Sequence, residues 1–341
     1  MERQLATVQR ILQVDPIPGA DAIEVATVRG WKVVTKKGEY RPGDLAVYCE
    51  IDSFLPIHEA YEFLRRSSYR RLPDGTEGFR LRTVKLRGQV SQGLLLPTDV
   101  VPSGLQAEAH EGLDVTDALG VVKYEPPVPP ELAGMARGPL PFFLQRTDEE
   151  RVQNLPELFG AERPAGPLYA TEKLDGSSAT FYLHGGEFGV CSRNLDLLES
   201  SSNTFWRVAR ALGVETKLRA HAAATGQELA LQGELVGAGV PKNPYGLNGQ
   251  TVHVFTAYDT GARERLPLGE MLGVAEVMGL PVVPVVDQTF SLPSTMEAVL
   301  ALAEGPSALN PGVRREGIVV RSHDGALSFK VISNAFLLAE K

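Results

Sequence analysis

Lys173 stands in the stretch YATEKLDGSSATFY, two residues before Asp175 and between two runs of strand-forming residues. A lysine amine attacks an electrophile only when neutral, and an ordinary lysine, with a pKa of about 10.4, is neutral in under ~0.1% of molecules at pH 7. The K-x-D-G string alone decides little. Asp-Gly is a common turn dipeptide, and the string arises by chance in a chain of this length roughly one time in ten. A nucleophilic lysine needs partners, and strand-like stretches downstream carry them: Arg193 in CSRN, Glu234 in QGELVG, Glu316 in REGIVV and Lys330 in LSFKV. A glutamate inside an apolar strand is costly to bury without a cation or metal beside it. One such glutamate is ordinarily a strand-end residue; two, in a region that also holds K-x-D-G, point to a cationic or metal-bound site.

These residues need elements to hold them. From residue 166 onward, ELALQGELVG, TVHVFTAYD, EGIVVRS and ALSFKVIS read as strands. SSNTFWRVARALGVETKLRAHAAA, LGEMLGVAEVMG and STMEAVLALAEG carry apolar residues at helical spacing. IVVRSHDGALSFKV reads as a hairpin turning at Asp324-Gly325, so the class is α+β with antiparallel sheets and flanking helices. Strand alternation turns Phe255 and Tyr258 of FTAYD to opposite faces. RTDEERVQNLPELFG predicts a helix capped by Thr147, with Glu150 three residues later. Residues 123–143 hold six prolines and read as an extended, semi-rigid linker. Before it, short β-branched and aromatic runs separated by Gly, Pro and Asp turns predict a small closed or partly open barrel. The expected division is a barrel over 1–125, a linker over 126–145 and a catalytic domain over 146–341.

Composition narrows the class. Of the 341 residues, 22% are charged and 43% hydrophobic, which is a soluble globular composition. No segment approaches the roughly 18 apolar residues of a membrane span, and MERQLATVQR lacks a secretory pattern. Two cysteines, Cys49 and Cys191, allow neither a disulfide framework nor a four-cysteine zinc site. A monomeric cytoplasmic protein without a membrane partner is expected. A net charge of −8 argues against a generally basic surface. Yet residues 61–90 hold eight basic residues against three acidic ones. Within them FRLRTVKLRG, which carries Arg80, Arg82, Lys85 and Arg87, alternates like a strand, so several of these side chains can share a face. That face is either a charge-protected sheet edge or a phosphate-contacting surface. No G-x-x-x-x-G-K-[ST] loop is present, and the histidines lack metal-ligand spacing.

Lys173-Leu-Asp-Gly, Glu234, FTAYD, EGIVV and Lys330, in that order, resemble the successive motifs of the covalent nucleotidyltransferases, the ATP-dependent ligases and capping enzymes. TEKLDGSSATFY and LQGELVGAGVPKNPYGLNG are similar to the RNA ligases. QVDPIPGADAIEVATVRGW and LRGQVSQGLLLP resemble the N-terminal OB module of Deinococcus-type, nick-sealing RNA ligases. The resemblance implies an OB-like barrel followed by an adenylyltransferase domain of the ATP-grasp-like ligase kind. It implies attack of Lys173 on the α-phosphorus of ATP to give lysyl-AMP, then transfer of AMP to a 5′-phosphate, then attack by an RNA 3′-OH at a nick in a duplex. Glu316, with Glu234, would hold Mg2+ or Mn2+, hard cations suited to carboxylate oxygens. Glu172, Asp175, Gly176, Arg193, Glu234, Phe255, Tyr258 and Lys330 would bind the nucleotide, an aromatic of FTAYD stacking on adenine and Gly176 leaving room for it. The metal, Arg193 and Lys330 would lower the pKa of Lys173 and stabilise phosphoryl charge. Many ligases carry two lysines in the last motif; here the earlier position is Ser328. A capping-type guanylyltransferase and a non-catalytic RNA-binding protein are the alternatives.

Overall fold

The computed structural model describes residues 3–125, 134–160, 166–240 and 243–339, which form two compact units. The first holds residues 3–125, 152–160 and 337–339; the second holds 134–151, 166–240 and 243–336.

The first unit is built from short antiparallel strands. Leu45–Cys49 runs between Ala6–Arg10 and Leu94–Leu96, and Ile23–Val28 between Gln13–Pro16 and Trp31–Lys36. In WKVVTK, Trp31, Val33 and Thr35 are buried alternately, the two-residue period that fits a strand with one face on a core. Gln92 donates its amide to the Lys32 carbonyl, and the Val34 amide donates to Ser91 Oγ, joining neighbouring sheets around Val8, Val47, Leu55 and Phe79. The barrel expectation holds. The unit is completed by residues 152–160: Trp31 Nε1 donates to Asn154 Oδ1 at 2.7 Å, and Asn154 Nδ2 donates to Glu50 Oε1 at 2.7 Å.

The second unit contains a seven-stranded and a five-stranded sheet. The first has the order Ala136–Pro139, Leu195–Leu197, Glu187–Cys191, Ser177–His184, Leu229–Gly237, Gln250–Asp259, Glu264–Arg265. The second has the order Glu150–Arg151, Ser328–Ile332, Gly317–Ser322, Leu168–Lys173, Val285–Phe290. Among the described strand pairs of these sheets, Glu150–Arg151 with Ser328–Ile332 is the parallel one and the others are antiparallel. Helices Thr204–Ala211, Val214–Thr225 and Leu268–Val277 pack Trp206, Leu218 and Met271 onto Phe181, Leu231 and Val254 of the large sheet. That face is apolar core, which leaves the other face, carrying Glu234, for chemistry. No described helix is long and apolar enough to cross a membrane.

Three local expectations fail, each for a tertiary reason. No helix starts at Thr147. Its hydroxyl instead meets Ser178 Oγ at 3.2 Å, Asp148 pairs with Arg193 and Glu149 with Arg321, so the side chains that would serve a first turn are drawn across the sheets. The proline-rich stretch is more than a spacer. Residues 126–133 lie outside the described residues, but Ala136–Pro139 is an edge strand, where proline is tolerated, and Phe143 and Leu144 are buried beside Tyr182. FRLRTVKLRG is two strands, Glu77–Arg80 and Val84–Leu86, in different sheets, so its cations do not share one face.

Candidate active site

Lys173 ends its strand opposite Gly317. Glu316 leaves the end of the neighbouring strand beside the amine, and Lys173 Nζ donates to Glu316 Oε2 at 2.8 Å. The chain then turns through Leu174, buried against Val236 and Tyr245, and the Asp175 amide donates to Tyr245 Oη at 2.6 Å. Gly176 passes so near the Leu229–Gly237 strand that a Cβ would lie 2.4 Å from the Leu235 carbonyl oxygen and 3.1 Å from the Glu234 side chain. The pressure that excludes a side chain at Gly176 therefore comes from this strand, where the sequence suggested a nucleotide.

The cluster is electrostatically one-sided. Burial disfavours the charge of Lys173, but Glu316 and Glu234 outweigh burial and hold its pKa above the ordinary lysine value. Glu234 is pushed up to about 8 by burial, opposed by Lys173 and reinforced by Glu316 and Asp175. The expectation that neighbouring cations depress the pKa of Lys173 is reversed in the protein alone, because its dominant neighbours are carboxylates. Among the described residues, no three Asp, Glu, His or Cys side chains converge as a metal cage. Mg2+ and Mn2+ bind through one or two carboxylates together with phosphate oxygens and water. Glu316, paired with Lys173, and the adjacent Glu234 supply two carboxylates that fit that need.

Register fixes who shares the face of Lys173. Lys173 and Tyr169 stand opposite Gly317 and Arg321, and Val319 and Arg321 stand opposite Lys330 and Ser328. Directly opposed residues lie on one face, so Lys330, Ser328 and Arg321 share the face of Lys173. Glu172 alternates to the reverse face and is buried. Its Oε2 accepts from the Ala308 amide at 2.8 Å and its Oε1 has no hydrogen-bond partner among the described residues, while its charge acts on Tyr245.

In the Gln250–Asp259 strand, Thr256 stands opposite Gln232 and Val254 opposite Gly233, so the register skips Phe255. This bulge breaks the alternation. Tyr258, opposite Ala230, falls on the face of Glu234, as does His253, opposite Glu234 itself. The expectation of opposite faces for Phe255 and Tyr258 thus fails by one inserted residue. Burial separates them instead. Half-buried Phe255 packs beside Leu174, Val236 and Tyr245, whereas Tyr258 is enclosed by Phe143, Tyr182 and Cys191.

The remaining expected residues disperse. Arg193 is exposed and ion-paired with Asp148. Arg80 lays its guanidinium 4.2 Å from the Tyr124 ring centroid, and Arg82 is half-buried. Lys85 and Arg87 are exposed on the ribbon Val84–Leu86/Gln89–Ser91, whose tip holds Arg87 and Gly88 at φ of 50° and 86°, a two-residue turn that matches strand twist. Sequence reading missed Tyr245, Glu149 and Arg321. Arg321 carried the signal used for the glutamates, a charge inside an apolar strand.

A family model described as an OB-fold domain matches residues 5–98, and one described as RNA ligase matches residues 166–332. No curated protein matches the chain. A Naegleria gruberi RNA ligase solved as a glutamate variant with AMP and manganese is 39% identical, with a TM-score of 0.90 over 99% of both chains. The same ligase with pyrophosphate is 40% identical over 98% of both chains, with a TM-score of 0.89. A lysine variant of it, solved with ATP and manganese, is 39% identical over 98% of this chain and 99% of that one, with a TM-score of 0.89. The chain belongs to the RNA ligase family: it is a ligase enzyme with an N-terminal OB-fold domain and a nucleotidyltransferase domain.

Proposed function

We propose that this ligase uses ATP to join an RNA 3′-OH end to a 5′-phosphate at nicks in duplexes, in the manner of the Deinococcus-type enzymes, as a step of RNA repair in the cytoplasm. The observation that carries the reading is the contact of Lys173 with Glu316 beside the half-buried Glu234. The amine of Lys173 forms a P–N bond to the α-phosphorus while the bond to pyrophosphate breaks. AMP then passes to the 5′-phosphate, and the 3′-OH displaces it. Glu316 and Glu234 would hold a divalent cation, which when bound would supply positive charge for the phosphate oxygens. Glu316 and Glu234 are also the carboxylates that hold the proton on Lys173 in the protein alone, so the nucleophilic form of the amine is the one freed of their charge. Lys330, on the same face, is the cation for the α-phosphate. Phe255 is the aromatic for adenine, since Tyr258 is enclosed. The unpaired Oε1 of buried Glu172 is an acceptor for the adenine 6-amine; guanine presents a carbonyl there, so ATP is preferred over GTP. Cys49 and Cys191 are free and buried, which supports a reducing compartment. In the barrel, exposed Lys85 and Arg87 contact nucleic-acid phosphates.

The test is incubation with α-labelled ATP or GTP and a divalent cation, followed by acid precipitation and then by nicked duplexes with an RNA or a DNA 3′-OH. A labelled protein from ATP and sealing at the RNA end are expected; label from GTP alone would favour a capping enzyme. Neutralising Lys85 and Arg87 should weaken nick binding and lower its salt slope by nearly one unit per lost phosphate contact, with adenylylation unchanged. An unchanged slope would assign the ribbon to edge protection.

A further inference from the structure

Arg321 is buried on the face of Lys173 and Lys330, and all three sides of its guanidinium are engaged. Nε donates to Ser328 Oγ at 3.2 Å, Nη1 to the Phe255 carbonyl at 3.0 Å, and Nη2 to Glu149 Oε1 at 2.8 Å. Its guanidinium carbon lies 5.7 Å from the Phe255 ring centroid. Glu149 also faces Arg265 at 3.6 Å. A buried ion pair is a poor way to gain stability, because apolar side chains of similar volume do as well or better. What this arrangement achieves is placement. The Phe255 carbonyl belongs to the bulge, where ladder pairing is interrupted and a backbone acceptor needs a partner from elsewhere. Arg321 reaches it from the other sheet of the same domain.

We propose that Arg321, oriented by Glu149, is a positioning residue for the nucleotide: it fixes the bulge that presents Phe255 to the base, and with Ser328 it takes up the space beside Lys330. Lysine at this position is a point donor and cannot serve three acceptors held in a plane. This inference rests on the assignment of Phe255 as the stacking residue.

The experiment is a double-mutant cycle on self-adenylylation of the full chain, reading KM for ATP and the maximal rate separately for wild type, Phe255→Ala, Arg321→Lys and the double variant, with Glu149→Gln as a second probe. Phe255→Ala should raise KM ~10-fold or more, the loss of one base stack. Arg321→Lys should raise KM to a similar extent with a smaller change in maximal rate, and adding it to Phe255→Ala should raise KM little further, because both act through one contact. Glu149→Gln should move KM in the same direction. If Phe255→Ala leaves KM unchanged, the stacking assignment fails. If Phe255→Ala raises KM while Arg321→Lys and Glu149→Gln lower only the folded fraction, or multiply the Phe255→Ala effect in full, Arg321 is structural and the inference is overturned. Should Arg321→Lys not fold, Glu149→Gln with and without Phe255→Ala decides by the same criterion.

Discussion

Two clusters of buried charge sit on one face of the five-stranded sheet and are balanced in opposite ways. At Arg321, one glutamate faces two arginines, and burial of Glu149 is outweighed by Arg321 and Arg265, which hold its carboxyl below the usual range. At Lys173, one amine faces Glu316, Glu234 and Asp175, and Glu234 is pushed up to about 8. Each cluster sets a glutamate among charged neighbours, and the two glutamates shift in opposite directions. The first cluster has placed its carboxylate's charge within the protein. The second carries more carboxylate charge than its one amine balances, and strongly shifted groups beside a charge partner mark a candidate working site.

The largest expected effect breaks the second cluster at its centre. Lys173→Ala and Lys173→Arg should both abolish self-adenylylation and sealing. Arginine keeps the charge but offers no neutral amine, so label retained on the Arg variant after acid precipitation would remove Lys173 from its role. Next, Glu316→Ala and Lys330→Ala should each slow adenylylation by two to three orders of magnitude, about 3–4 kcal/mol of transition-state stabilisation, with melting temperatures near that of wild type. Normal adenylylation by Lys330→Ala would mean that another cation serves the α-phosphate.

The clusters should respond to neutralisation in opposite senses of stability. Glu149→Ala leaves buried Arg321 and half-buried Arg265 facing each other without a counter-charge and should cost about 3–5 kcal/mol, read from denaturant midpoints. Glu234→Gln relieves a half-buried carboxylate already inclined to protonate, so its midpoint should hold or rise while activity falls. A matched loss of stability in both variants would erase the distinction. The smallest effect is on pH. Protons compete with a divalent cation for Glu234, so below pH about 8 the half-saturating Mn2+ concentration should rise by up to ~10-fold for each unit of acidification, and level off above it. Glu234→Gln should flatten this dependence; an equal slope in the variant would place the titrating group elsewhere.

Much of the molecule could be read locally. Antiparallel α+β architecture follows from period-two strands and a tight Asp-Gly turn, and the barrel from short strands between Gly, Pro and Asp. K-x-D-G with glutamates in apolar strands named Lys173, Glu234 and Glu316, which the fold brings together. Local reading failed where a distant partner won. Thr147, with Glu150 three residues later, has a helix-start pattern, yet Ser178 claims the Thr147 hydroxyl, and Arg193 and Arg321 claim the neighbouring Asp148 and Glu149. Arg80 is committed to Tyr124, which charge counting could not show.

The amino-acid sequence by itself determined which chemistry was available, because residue type fixes what an amine, a carboxylate or a glycine can do, and because strand and helix periods are set by neighbours along the chain. Tertiary structure alone decided the sign of the shift at Lys173, whose partner Glu316 is 143 residues away. It also decided the face of Tyr258, reset by one bulged residue, and the reason Gly176 must be glycine. Each depends on the register between strands distant in sequence, and a register shift of one residue exchanges the faces of a strand while leaving its local pattern unchanged.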